Sequence, residues 1–308
     1  MSTRFIRGGR GAAAVAAAIL VALAGGRVDA EQAKLKVHIS VDMEGVAGAV
    51  TGSQLGPSGF EYGRFREFMT REALAAVAAA REMGATDIVV ADAHGNGENL
   101  LIDQFPADVR IVRSWPRPLG MQGGLDETFD AAILIGYHAS TNNTAGVRAH
   151  TFSSATLTRV ALNGVEMTEG SWGAAIAGHF DVPVVMISGD DAAIAEVRKV
   201  VGPIEGAETK RTLGFHSAIT ITPEASYALI AERVRAGLKR RTELKPYKVE
   251  GPVTVDVSFK HYQPAELLAY LPMFERTDAH SVRFRARDMV EASDVMTFIG
   301  RYRPDIEP

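Results

Sequence analysis

Four short apolar runs, each ended by polar or glycine residues, set the tightest limit on how this chain can fold. They are VHISV (37–41), IVVADA (88–93), ILIGY (133–137) and VVMIS (184–188). Helix-patterned stretches lie between them. EYGRFREFMTREALAAVAAAREMGA (61–85) is Ala-rich with apolar residues at helical spacing and stops at Gly84, a C-cap candidate. TEGSWGAAIAGHF (168–180) reads as a second helix, with Thr168 as its N-cap. Strand-length runs separated by helices pair in parallel. The expected fold is therefore α/β, a mostly parallel sheet flanked by helices.

The last third has a different pattern. PEASYALIAERVRAGLKRR (223–241) is helical with a basic end. The stretches 251–262 and 280–287 alternate as one-sided strands do, each with a helix-like segment after it. This implies a smaller C-terminal α+β subdomain. The expected division is a catalytic α/β region at 31–205 and an α+β region at 206–308 that closes the site or forms an interface.

The N-terminus carries Arg4, Arg7 and Arg10, then an Ala/Val/Leu/Ile run over 11–24, then small residues up to Ala30. That order is a secretory signal peptide over residues 1–30. The apolar run falls short of the roughly 20 residues a spanning helix needs, so an uncleaved anchor is the lesser alternative. Cleavage implies a periplasmic or secreted protein with no stable membrane insertion. It also removes four Arg and one Asp, which takes the formal charge from −4 to −7. No basic patch is left to bind nucleic acid. The chain has 308 residues, 46% apolar and 23% charged, enough for a large core. It has no Cys, which excludes a thiolate metal site, a Cys nucleophile and Cys lipidation.

The chemistry gathers where the apolar runs end. Read as a strand through HISVDMEG, Asp42 and Glu44 share one face with His38 and Ser40, opposite Val37, Ile39, Val41 and Met43. Two like charges on one face repel, and burial raises the cost. A divalent cation between them removes the conflict; the plain alternative is two acids in solvent beyond the strand. His94 and His138 each follow another apolar run. In an open parallel sheet, C-terminal strand ends line one edge, where ligands bind. Imidazole and carboxylate without thiolate suit Zn²⁺. Asp190 and Asp191 read as a helix cap or as partners orienting a ligand. Lys210, Arg211 and His216 read as a solvated run, or less simply as groups that meet a substrate carboxylate.

These stretches also resemble a known family. SVDMEG (40–45), DAHGNGENL (92–100), SWPRPLGMQGGLDETFDAAILIGYHA (114–139), GVRAHTF (146–152), NGVEMTEGSWGAAIAGHFDVPVVMISGDD (163–191) and ARDMVEA (286–292) are similar, in order, to segments of the bacterial zinc-dependent D-aminopeptidases. These are self-compartmentalising metallopeptidases. The resemblance implies two zinc ions per chain: Asp42 bridging, Glu44 and His94 completing one site, His138 and Glu169 the other. Residue chemistry alone reads Glu169 as an acid favoured by a helix N-terminus. The resemblance also implies a catalytic His150, on a loop one residue longer than the family pattern, and a homo-oligomer, a decamer acting on short peptides.

Two metals can activate a water and polarise a carbonyl. The expected activity is release of an N-terminal residue, a D-amino acid by resemblance, from short peptides. His150 then serves as the proton carrier to the leaving amine, with a covalent nucleophile or an oxyanion donor as alternatives. Other readings of the same ligand types are a two-metal phosphoesterase or deacetylase, and a non-catalytic peptide- or metal-binding protein.

Overall fold

The computed structural model describes residues 34–302; the proposed signal segment at 1–30 lies outside them. In chain order the chain forms β1 (Leu35–Val41), α1 (Gly52–Leu55), α2 (Tyr62–Glu82), β2 (Ala85–Asp92), β3 (Arg110–Val112) and β4 (Ala131–Tyr137). Next come β5 (Leu157–Leu162), β6 (Val165–Glu166), α3 (Glu169–His179), β7 (Val184–Asp190), α4 (Asp191–Val201), β8 (Glu205–Gly214) and β9 (Ser217–Thr220). The last elements are α5 (Pro223–Lys239), β10 (Val253–Phe259), α6 (Tyr262–Leu268), β11 (Phe274–Arg276), β12 (Ser281–Ala286) and α7 (Met289–Arg301).

The first sheet has seven strands in the order β3-β2-β1-β4-β7-β8-β9. All its pairs are parallel except β8–β9. The chain runs outward from β1 to β2 and β3, then returns to the other side of β1 as β4 and continues to β7 and β8. The direction of winding thus reverses between β1 and β4, which opens a crevice at the C-terminal ends of those strands. Helices cover both faces, so the strands are buried nearly end to end.

One face packs on α2 and α5. Phe65, Met69, Ala73, Ala76, Val77 and Ala80 of α2 recur at helical spacing and bury against Val37, Ile39, Val41, Ile133 and Ile135. Helix α2 ends before Gly84, whose φ of 95° suits the left-handed turn beyond a helix. The other face packs on α3 and α4. Residues 169–178 of α3 are all buried, because α3 lies between the first sheet and α7.

The second sheet is antiparallel, in the order β11-β12-β10-β5-β6. Its inward residues Val253, Val255, Val257, Phe259, Val282 and Phe284 join the α3 core. Asn163 and Gly164, at φ 48° and 83°, make the tight β5–β6 turn. The division expected at 205–206 falls within the first residues of β8, inside the first sheet. Strands β8 and β9 extend that sheet, and α5 covers it, whereas β5 pairs with β10 from the last third, and β6 with β5. A hairpin with strand alternation does not announce which sheet it will join, because the pairing is non-local. No helix among the described residues is long and apolar enough to cross a membrane.

Candidate metal centre

The acids sit just past β1. Asp42 N–H donates to the Ile135 carbonyl at 2.8 Å and carries the ladder one residue beyond the strand. The chain then turns sharply, and Gly45 N–H donates to the Gly136 carbonyl at 2.6 Å. A Cβ on Gly45 would stand 2.2 Å from the Tyr137 carbonyl oxygen, and one on Gly136 would stand 2.2 Å from that of Asp42. The two strand ends therefore touch backbone to backbone, which only glycine allows. Glu44 is on this turn and not on the strand. The turn is fixed from beneath by the buried Lys210, whose Nζ donates to the carbonyls of Glu44 (2.5 Å), Val46 (2.8 Å) and Ala49 (2.5 Å).

His94 lies on the loop after β2. Asp92 anchors that loop by accepting from Asn99 N–H (2.6 Å) and Leu100 N–H (2.7 Å), and Asn99 Nδ2 donates to the His94 carbonyl at 2.6 Å. His138 follows β4 directly. His150 comes back to the same edge because its N–H donates to the Ala139 carbonyl at 3.0 Å. Asp190, the N-cap of α4, also accepts from Val147 N–H at 2.7 Å and so holds the His150 loop. Glu169 is the first residue of α3, behind the Thr168 cap.

Backbone carbonyls settle the imidazole tautomers, since a carbonyl can only accept. His94 Nε2 faces the Leu55 carbonyl at 2.6 Å, His138 Nδ1 faces that of Ala139 at 3.0 Å, and His150 Nδ1 faces that of Arg148 at 2.8 Å. Each ring donates there, and its other nitrogen points into the site. That nitrogen of His94, Nδ1, lies 3.1 Å from Asp42 Oδ1 and 2.9 Å from Glu44 Oε2. That of His138, Nε2, lies 3.3 Å from both Asp42 Oδ2 and Glu169 Oε2. Asp42 thus presents one oxygen to each of two imidazole–carboxylate groups. His150 Nε2 lies 3.7 Å from Glu169 Oε1, and its ring stacks on His138 with centroids 4.0 Å apart.

Asp42, Glu44, His94, His138 and Glu169 are all buried; His150 is part-buried. Burial, with the Glu44 charge beside it, raises the Asp42 carboxyl above its usual range. Burial presses Glu44 and Glu169 the same way, but His94 and His138 outweigh it and hold both acids below theirs. Burial also opposes charge on the imidazoles, yet the facing carboxylates hold His94 and His138 well above the usual histidine value.

Three observations show that a cation fits. Asp42 Oδ2, Glu44 Oε2 and His138 Nε2 are buried without a hydrogen-bond partner. One N–H shared between two carboxylate oxygens serves each of them poorly, whereas a cation would bond to all three. Ligand atoms of Asp42, Glu44 and His138 lie within 4.8 Å of one another, as do those of His138, His150 and Glu169. The donor set is nitrogen and oxygen, as borderline divalent ions prefer.

Of the residues expected at the site, all six converge. Lys210 departs from the solvated run read in the sequence, since it points inward under the turn, while Arg211 and His216 are exposed. His38 is buried apart from the site, on the Gly123 carbonyl at 3.1 Å and edge-on to Phe129; burial lowers it to about 4. His179, His261 and His280 are exposed. Sequence reading assigned no role to Asp92 or Asn99. Their one signal is an Asp closing an apolar run two residues before a His.

A buried set of carboxylates and imidazoles at the switch point of a parallel sheet defines a metalloenzyme. Comparison with known proteins narrows the class. A family model described as D-aminopeptidase matches residues 35–298. A curated D-aminopeptidase of Bacillus subtilis (strain 168) is 30% identical over 263 residues, covering 85% of this chain and 95% of that protein. The solved structure of the Zn-dependent D-aminopeptidase DppA from Bacillus subtilis, described as a self-compartmentalizing protease, superposes with a TM-score of 0.83. It is 29% identical, over 86% of this chain and 96% of that one. This chain belongs to the D-aminopeptidase family and is a metallopeptidase.

Proposed function

We propose that this chain is a dinuclear zinc aminopeptidase that releases the N-terminal residue, a D-amino acid, from short peptides. The observation that carries the reading is Asp42, whose two oxygens are divided between the His94–Glu44 and His138–Glu169 groups. Asp42, Glu44 and His94 would hold one ion, and Asp42, His138 and Glu169 the other. When bound, zinc polarises a carbonyl and lowers the pKa of a water. The rest of the chemistry falls to the chain. Leu55 and Ala139 carbonyls orient the ligand imidazoles. His150 keeps Nδ1–H on the Arg148 carbonyl, so its Nε2 is free to carry a proton to the leaving amine.

The solved relative is self-compartmentalizing, which supports a homo-oligomer here; a decamer extends that reading. The secretory pattern of residues 1–30 supports a periplasmic address. The test is zinc content per chain together with hydrolysis of D-Ala-D-Ala, L-Ala-L-Ala and an aryl phosphate. The expected result is about two zinc ions per chain and turnover of the D-dipeptide ahead of the other two. Phosphate-ester turnover without peptide turnover would replace the reading with a phosphoesterase. Metal binding without turnover would replace it with a binding protein.

A further inference from the structure

Arg148 has a costly arrangement that the ligand set does not use. Its φ is 54°, in the left-handed region that a non-glycine residue enters at a cost. Two hydrogen bonds keep it there: its N–H donates to the Phe215 carbonyl at 3.0 Å, and its own carbonyl accepts from His150 Nδ1 at 2.8 Å. The side chain turns onto the Phe215 ring, with the guanidinium carbon 5.0 Å from the centroid. Nε is buried and has no hydrogen-bond partner, and among the described residues no carboxylate pairs with the guanidinium. A buried N–H left without an acceptor is a lasting penalty. Here it is kept two residues from the imidazole that would protonate the leaving group. The ring of Phe215, on the turn between β8 and β9, lies against the guanidinium.

We infer that Arg148 is a specificity-determining residue that receives the C-terminal carboxylate of a dipeptide or similarly short substrate. The inference rests on the proposed peptidase reading and narrows its substrate class to peptides with a free carboxylate near the scissile bond. An aminopeptidase substrate places its amino end at the metal centre, because the scissile carbonyl belongs to its first residue. In a dipeptide the other charged end lies on the leaving-group side, which is His150's side. A guanidinium suits that end, because its fork matches a carboxylate's two oxygens. The β8–β9 hairpin, which supplies Phe215, is then a wall of the site.

The experiment compares D-Ala-D-Ala with its C-terminal amide, in wild type and in Arg148→Gln and Arg148→Lys. Both substrates are assayed on the same enzyme sample, so misfolded or metal-poor protein cancels in the ratio. The expected result is a loss of about 10- to 100-fold in kcat/KM for the free acid in Arg148→Gln, carried mainly by KM. The loss on the amide should stay below about threefold, and Arg148→Lys should recover part of the acid activity. Equal losses on both substrates, or none on the acid, would overturn the role of Arg148 while leaving the peptidase reading intact. A wild type that cleaves neither peptide would overturn the peptidase reading, and this inference with it.

Discussion

The two sheets share one apolar core around α3 but treat charge in opposite ways. In the second sheet, β10 alternates strictly: Val253, Val255, Val257 and Phe259 point in, while Thr254, Asp256 and Ser258 lie on the outer face. Its charges meet there, as in the Arg283–Asp256 pair at 2.7 Å. In the first sheet, three carboxylates and two imidazoles are buried together where β1, β2 and β4 end. Outer-face pairs keep their water and contribute little. Buried acids without compensation are expensive. A fold retains such a cluster where something of opposite charge is bound, and the winding reversal between β1 and β4 opens the crevice where those ends meet. The second sheet is built for stability, the first for chemistry.

The strongest way to break that contrast is Asp42→Asn. The amide fills the same space, and the β1 ladder is made by backbone, so folding should survive. Each proposed ion loses a shared negative ligand, however, and the transition state loses several kcal/mol of charge stabilisation. Peptide turnover should fall by at least about 10³-fold in kcat/KM, with bound zinc per chain reduced. Metal analysis and kinetics on one preparation check it. A variant with full zinc and near-normal turnover would show that the cluster's charge is not what the reaction uses.

The converse is Phe284→Ala in β12. Phe284 is 1% exposed and meets Phe274 edge-on with centroids 5.5 Å apart. Its truncation should cost about 3–5 kcal/mol of stability. Zinc content and kcat/KM per folded chain should stay within about threefold, as measured by denaturant midpoint, metal analysis and kinetics. Loss of zinc in a folded variant would show that the second sheet holds the site and is not merely a support.

The same contrast explains what could be read from the chain. Local signals were reliable where local physics decides. The Thr168 cap begins α3, Gly84 lies beyond α2, and the apolar runs are β1, β2, β4 and β7. The convergence of Asp42, His94 and His138 was legible because parallel strands deliver their C-terminal ends to one edge. Three features were not. Glu169 enters from a helix that the second sheet presses onto the first, which no local pattern encodes, and only resemblance marked it. Lys210 sits in a polar run of β8 in which it and the adjacent Thr209 are both buried, a pattern that strand alternation does not give. The membership of β5 in the second sheet, and of β6 through it, is set by the pairing of β5 with β10, about a hundred residues away in sequence.

Glu72 sharpens the comparison within the first region itself. It is a fully buried carboxylate on α2, close beneath the metal-centre turn, but it has no imidazole opposite. Oε1 accepts from Ala47 N–H at 3.0 Å and Ser226 Oγ at 2.7 Å, while Oε2 has no partner. Glu44 and Glu169 are held low by histidines; Glu72 is pushed up to about 7 by burial, against the two hydrogen bonds and the nearby Lys210 charge. Its folded pKa therefore lies above the unfolded one near 4.5. The folded state binds the extra proton between those values, so stability falls as pH rises from about 4.5 to about 7 and is then flat with respect to this group. Glu72→Gln, which keeps the Oε1 acceptor and cannot ionise, should remove that fall. The difference between variant and wild type should grow by about 2–3 kcal/mol across that window, in the variant's favour at pH 7. Denaturant melts of the zinc-free proteins at pH 5 and pH 7.5 measure it without interference from metal. If the two proteins change in parallel, Glu72 stays ionised in the fold, and Lys210 would have to be acting as its counter-ion as well as the clamp on the Glu44 turn.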